Sequence, residues 1–362
     1  MILKILILSH TREYSNFKIG SHHYANGFIR KGHEVTFLGS PYTLSHKLMG
    51  KKKDEGVYQL DMRVNLLTPY MLFPIKNKNG KLFDLINYFF CKVSIKDNMY
   101  DLIVCDNPYF YPYINIFNYK KMIYRPTDDY FKFDGEVANK YEKKITGISD
   151  LIISTSLSVK RSIDERFKPS CGSIVLENGY DAEMFKSVNN KDRSGAIYIG
   201  AVDERFDLDA ISILAKVFPE DKFNIYGPII DSYKQKVKEI TDIYENIIFY
   251  GAVDYNQTPD IMQKAKIGLL TLSRHPSNHG RSPMKLWEYA ASGLAVIYSN
   301  IDLNEVKNVG FLWEYNNDDE LIKCYEQAKS NYFLDKRIVE VIEEHSWSNN
   351  IDRIQSQFNK LA

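Results

Sequence analysis

Short runs of apolar, mostly β-branched residues recur along this chain, and stretches of helical period separate them. Ile2–Leu8 reads as a fully buried first strand, Ser21–Arg30 as a helix stopped at Gly32, and Glu34–Leu38 as a second strand, together a βαβ unit. Asp101–Cys105, Met122–Arg125, Leu151–Ser154 and Ser173–Leu176 continue the strands, with helices over Glu136–Ile148 and Ser156–Phe167. The alternation then restarts. Ala196–Ile199, Phe223–Tyr226, Ile247–Tyr250, Ile267–Leu272 and Leu294–Ile297 read as strands with helices between them, and Ser346–Leu361 as a last helix. Strand–helix alternation of this kind predicts an α/β fold with two Rossmann-like parallel sheets. The polar tract Lys186–Ser194 marks the exit from the first, so the expected domains are residues 1–185 and 186–345, followed by a terminal helix over 346–362.

The segment from Tyr42 to about Lys96 is irregular and carries the basic run Lys51–Lys53. Within it Leu82, Leu85, Ile86, Phe89 and Phe90 share one helix face, flanked by Lys76, Lys78, Lys81 and Lys92. Two readings fit that face: an ordinary core helix, or a helix resting on an anionic membrane surface.

The most informative stretch is Ser273–Ile297, SRHPSNHGRSPMKLWEYAASGLAVI. Ser282 suits an N-cap and Pro283 the first helical position, while Gly293 ends the helix ahead of a buried strand. The unpaired N–H groups of Met284 and Lys285 then make an anion site, strengthened by the helix dipole and the Lys285 ammonium. Glu288 lies one turn on, on the same face, where a carboxylate can accept hydrogen bonds from the two hydroxyls of a ribose. Together these donors and acceptors suit a nucleoside diphosphate. The same residues also suit a capped helix with a solvated Lys285–Glu288 pair.

Other polar groups sit just past strand ends, where open α/β sheets present their ligand crevice. Asp128 and Asp129 follow Met122–Arg125 in this way, and an Asx-rich turn is the competing reading. His10, His22 and His23 cluster after the first strand at no spacing that suits a metal. No GxGxxG follows that strand, so the dinucleotide fingerprint is absent there. In the second half Gly200, Gly227 and Gly251 close consecutive strands, with Val202, Arg205 and Ala252 beside them; glycine there lets backbone approach a flat ligand. Asp207 and Asp209 mimic an acidic metal motif but stand at a helix start, where acids serve as caps.

Composition narrows the partners. With 362 residues, 44% hydrophobic and 26% charged, the chain has the bulk of a two-domain globular protein. A net charge of +1 leaves no basic excess for nucleic acid. The four cysteines show no metal or disulfide spacing, and no apolar run approaches the roughly 18 residues of a membrane span. A cytoplasmic protein is expected, and on the second reading of the aromatic–basic segment that segment would meet the inner face of the membrane.

The motif SPMKLWEYAASGLAVI, with GAVDERFDLDAI upstream and ENGYDAEMF at the domain exit, resembles the donor half of two-Rossmann (GT-B) glycosyltransferases. The likeness is closest to bacterial surface-polysaccharide transferases, including the xanthan glucuronosyltransferase. It implies two domains facing each other across a cleft, with the last helix crossing back to the first domain. It also implies sugar transfer from a nucleotide sugar to a glycan or lipid-linked oligosaccharide without a metal or other cofactor. Gly200, Val202, Arg205, Gly227, Ala252, Ser282, Met284, Lys285 and Glu288 would then hold the donor. Lys285 matches a lysine that neutralises the diphosphate, and Glu288 the residue on the ribose side. Asp128 matches the acid that serves as base in the xanthan enzyme, with His10, His22 and Asp129 on the acceptor side. Retaining members carry a further glutamate eight residues before the second, and that place is Gly280 here, which favours inversion. Two other functions suit the same halves: a sugar-nucleotide 2-epimerase, and a nucleotide-sugar-binding protein without catalysis.

Overall fold

A computed structural model describes residues 2–51, 53, 56–76, 80–95, 99–188, 192–278, 280–301, 303, 309–331 and 336–361. Lys52 and Lys78 of the basic tracts, and part of the 186–194 tract, lie outside the described residues. The chain divides into two compact units, Met1–Glu177 with Ile351–Ala362, and Asn178–Asn350.

The first unit is built on a parallel sheet of seven strands: β1 (Lys4–Leu8), β2 (Glu34–Leu38), β3 (Asn65–Leu66), β4 (Met99–Cys105), β5 (Asn118–Tyr124), β6 (Leu151–Ser154) and β7 (Gly172–Val175). They lie in the order β3-β2-β1-β4-β5-β6-β7. The second unit repeats the plan with β8 (Ala196–Ile199), β9 (Phe223–Tyr226), β10 (Ile247–Gly251), β11 (Ile267–Leu270), β12 (Ala295–Tyr298) and β13 (Leu312–Glu314), ordered β10-β9-β8-β11-β12-β13. Central strands such as Ile5–Leu8 and Ala196–Ile199 are buried along their whole length, as strands covered on both faces must be. In each sheet the strand order reverses once, between β1 and β4 and between β8 and β11. Crevices open at the carboxyl ends of strands flanking such reversals.

Four helices matter below: α1 (Gly20–Arg30), α2 (Lys81–Ser94), α3 (Met284–Ala291) and α4 (Trp347–Leu361). The chain enters the second unit at Asn178, before the polar tract expected to mark the boundary. The reason is local. Tyr180 and Phe185 are buried in the second unit's core, and Tyr180 bridges to Ser346. From Ile351 onward α4 belongs to the first unit, where Ile351, Ile354 and Phe358 are buried and Asp352 pairs with Lys31 of α1 at 2.6 Å.

α2 is not the ordinary core helix that one of the two readings expected. Its buried positions are Asp84, Asn87 and Cys91, and Leu82, Leu85, Phe89 and Phe90 are exposed. Asn87 explains the inversion: its Oδ1 accepts from the N–H groups of Leu72 and Phe73 at 3.0 Å each, and its Nδ2 donates to Phe73 O at 2.7 Å. A buried amide with these bonds satisfied fixes which side of the helix faces inward.

Candidate active site

In the second unit the polar groups gather at the ends of β8 and β11, beside the strand reversal. The loop after β8 is stitched to its neighbours through backbone. Val202 N–H donates to Pro228 O (2.9 Å), Ile230 N–H to Val202 O (3.2 Å), and Gly227 N–H to Gly251 O (2.7 Å). Val202 is fully buried, so it packs this junction, whereas Ala252 is exposed just past β10. Two of the glycines also serve local packing. A Cβ at Gly227 would stand 1.8 Å from Gly200 O, so the residue is needed for two loops to touch. A Cβ at Gly200 would lie 2.6 Å from the Tyr198 hydroxyl. Gly227→Ala should therefore cost about 3 kcal/mol by overpacking, read as a lower urea midpoint of the full chain.

Asp203 was not anticipated. It is buried and grips Arg205 two residues on, with Arg205 Nε 2.9 and 3.0 Å from its two oxygens. Burial works to raise the Asp203 carboxyl, but the Arg205 hydrogen bonds and the charge of Arg281 outweigh it, and it titrates below the ordinary carboxylate range. Arg205 is thus a held residue, not a solvated one. Its carbonyl accepts from Ser273 N–H and from Asn278 Nδ2, both at 2.9 Å, tying this loop to the one that leads into α3. Asp207 caps its helix, accepting from the N–H groups of Asp209 (3.1 Å) and Ala210 (3.0 Å).

At α3 itself the cap differs from expectation. The helix begins at Met284 with Pro283 as N-cap, because the Ser282 hydroxyl is taken: it accepts from Asn178 N–H at 2.8 Å, and Ser282 O accepts from Asn178 Nδ2 at 2.9 Å. The consequence for the anion site is favourable. Among the described residues no acceptor meets the N–H of Met284 or of Lys285. Lys285 Nζ pairs with Glu288 Oε2, and lies 5.4 Å from the centroid of the Tyr255 ring. Glu288 Oε1 accepts from the Tyr255 hydroxyl at 3.2 Å. Glu288 is fully buried, so the carboxylate expected to receive ribose hydroxyls is here covered and holds Lys285 in place. Burial and the neighbouring Glu288 push the Tyr255 hydroxyl well above its usual range, which keeps it a donor.

The first unit has its own polar group at the ends of β1 and β4, again at the reversal. His10 follows β1 and Asp106 follows β4. Asp106 accepts from His10 N–H at 2.7 Å, and its Oδ2 lies 3.3 Å from His10 Nδ1. Burial works against the His10 charge, but Asp106 and then Asp128 outweigh it and raise its pKa above the usual 6.5. Asp128 is half-buried and accepts from the Thr127 hydroxyl at 3.1 Å. Thr127 is also 3.1 Å from the Tyr130 hydroxyl, which donates to Asp106 O at 2.6 Å. His10, Asp106 and Asp128 are thus one electrostatic group.

The other two acceptor-side candidates are placed elsewhere. Asp129 is buried against the cluster of Arg166 (4.0 Å) and Lys132 (3.8 Å), where Arg166 also pairs with Glu142 at 2.8 Å. His22 has no exposed surface. Its Nδ1 accepts from Ile19 N–H (3.2 Å) and its Nε2–H donates to Arg12 O (2.8 Å), so it clamps the loop after β1 as a neutral ring. Burial lowers its pKa to about 4.

The two histidines should titrate apart. In an NMR titration the His22 ring should move only near pH 4 and the His10 ring above 6.5. The linkage signs are opposite. A lowered folded pKa makes His22's contribution complete above 6.5 and lost as pH falls toward about 4, whereas His10's is complete below 6.5 and lost as pH rises through its raised value.

Comparison with known proteins finds its family match in the second unit. Residues 195–331 match the family described as glycosyl transferases group 1. TuaH of Bacillus subtilis (strain 168), a glycosyltransferase assigned by name to teichuronic acid biosynthesis, is 23% identical over 201 residues, 53% of this chain and 50% of TuaH. The chain therefore spans about half the length of that curated relative. Sucrose-phosphate synthase from Thermosynechococcus elongatus superposes with a TM-score of 0.74 at 12% identity, covering 99% of both chains. HepE from Anabaena, solved in complex with UDP and glucose, superposes at 0.66 and 13% identity over 99% of this chain and 100% of that one. At such identities the likeness is one of fold, and the fold is GT-B. The matched residues include the strand ends of β8 and β11, the Asp203–Arg205 grip and α3 with Lys285 and Glu288.

Proposed function

We propose that the protein transfers a sugar, with inversion, from a nucleotide sugar, most simply a UDP-sugar, to a glycan or lipid-linked oligosaccharide of a surface polysaccharide. One observation carries the reading: within the residues that match glycosyl transferases group 1, a helix start offers two unengaged amides and an ammonium held by a buried carboxylate. As the sugar leaves, the nucleoside diphosphate gains negative charge. Fixed donors placed where that charge grows stabilise the transition state without reorganising. Lys285 and the amides of Met284 and Lys285 are such donors, with Arg205 and Arg281 adding positive charge nearby.

The acceptor hydroxyl must lose its proton as it attacks the anomeric carbon. Asp128 is the proposed base, and the proton passes to its carboxylate. Glu288 and Tyr255 position Lys285, and Asp203 positions Arg205. A neighbour of this fold was solved with UDP and glucose, which supports the choice of donor class. The test is direct: UDP-, GDP- and dTDP-sugars are offered with oligosaccharide acceptors, and nucleoside diphosphate release is followed by coupled assay. Acceptor-dependent release from one donor class is expected. Release from no mixture would refute transfer.

A further inference from the structure

α2 shows water a face that a helix normally buries. Leu82, Leu85, Phe89 and Val93 are 63, 65, 64 and 74% exposed and fall on one stripe at spacings of three and four. The opposite face is polar and fastened: Asn87 holds the loop at Leu72 and Phe73, and Asp84 accepts from the hydroxyls of Tyr141 and Tyr113. This orientation is therefore imposed by the fold. Beside the stripe lies a cleft of about 390 Å³ whose lining includes Lys81, Lys140 and Lys144, together with Tyr88 and Tyr111. Leu85 belongs to both the stripe and the cleft. Among the described residues no carboxylate pairs with those three lysines, and the one acid in the lining, Asp84, is buried and turned to tyrosines. Lys144 lies 5.2 Å from the centroid of the Tyr111 ring.

We propose that α2 and the lysine–tyrosine cleft dock this unit on an anionic phospholipid bilayer. The apolar stripe enters the boundary between headgroups and acyl chains, the lysines meet lipid phosphates, and the tyrosines sit at the interface with ring in and hydroxyl out. An apolar patch on a soluble surface marks an interaction site, and charge selects the partner here. A second copy of the same face would set unpaired lysines against lysines, whereas an anionic bilayer complements them. This surface lies wholly within the first unit and does not rest on the sugar-transfer reading.

The test is co-sedimentation of the full chain with vesicles of phosphatidylcholine alone and of phosphatidylcholine mixed with phosphatidylglycerol. Binding to the mixed vesicles alone, weakened by salt, is expected. Leu85→Glu with Phe89→Glu should weaken it at least roughly tenfold. Lys140→Gln with Lys144→Gln should weaken it by about fivefold per lysine. All four side chains are at the surface, so circular dichroism and melting should match the parent, and nucleotide binding should be unchanged in both variants. That last readout separates failure here from failure of the transfer reading. Absence of binding, equal binding to both vesicle types, or parental binding by the variants would overturn the proposal. So would sedimentation velocity showing a dimer that Leu85→Glu dissociates.

Discussion

Lys285→Met is expected to lower kcat/KM for the donor by about 10²–10³-fold, the effect of removing one fixed donor from a developing anion. The same change should destabilise the second unit. Glu288 is fully buried and pairs with Lys285, so the substitution leaves a buried carboxylate with, among the described residues, only the Tyr255 hydroxyl. Breaking a buried pair by removing one partner costs about 3 kcal/mol, while replacing both with apolar groups is often neutral. Lys285→Met with Glu288→Leu should therefore recover most of the lost denaturant midpoint and none of the lost activity. Recovery of both would mean that Lys285 matters only to folding, and the diphosphate site would have to lie elsewhere.

The second large effect is on Asp128. Asp128→Asn keeps the shape of the side chain and its contact with Thr127 but removes the negative charge. The rate of transfer should fall by about 10²–10⁴-fold with little change in the KM for the donor, as for loss of a general base. The charge of Asp128 also helps to raise His10, so the His10 titration should move down in the same variant. A parental rate would exclude Asp128 as the base. The group to examine next is then His10 with Asp106, since His22 is enclosed and neutral and Asp129 faces Arg166. His10→Gln would abolish transfer in that case, while Asp128→Asn would only shift the pH profile.

Much of the fold was legible because it depends on short-range pattern. Continuous apolar runs give the buried strands, and most strand limits agree with expectation within about two residues. The limits of α3 were legible to within about a residue, since Pro283 and Gly293 act through neighbouring backbone, but its cap was not. What escaped prediction are partners distant in sequence. Ser282 looked like a cap, but Asn178, 104 residues away, claims its hydroxyl. Asp106 reaches His10 across 96 residues, and Tyr255 reaches Glu288 across 33. Asp106 left one readable trace: it follows its strand directly, whereas Asp128 comes four residues after Tyr124. The exposed stripe of α2 shows a different limit. Periodicity says which residues share a face, not whether that face meets the core or the solvent. That choice was made by Asn87, a polar residue whose bonds go to a loop more than a dozen positions earlier.

The most direct measurement is calorimetric titration of UDP and of uridine into the parent chain and into Lys285→Met with Glu288→Leu. The parent should bind UDP far more tightly than uridine, because the diphosphate carries the recognition, and the variant should lose at least tenfold for UDP while binding uridine as before. Equal affinity of parent and variant for UDP, in a variant that melts as the parent does, would contradict a diphosphate held at the start of α3.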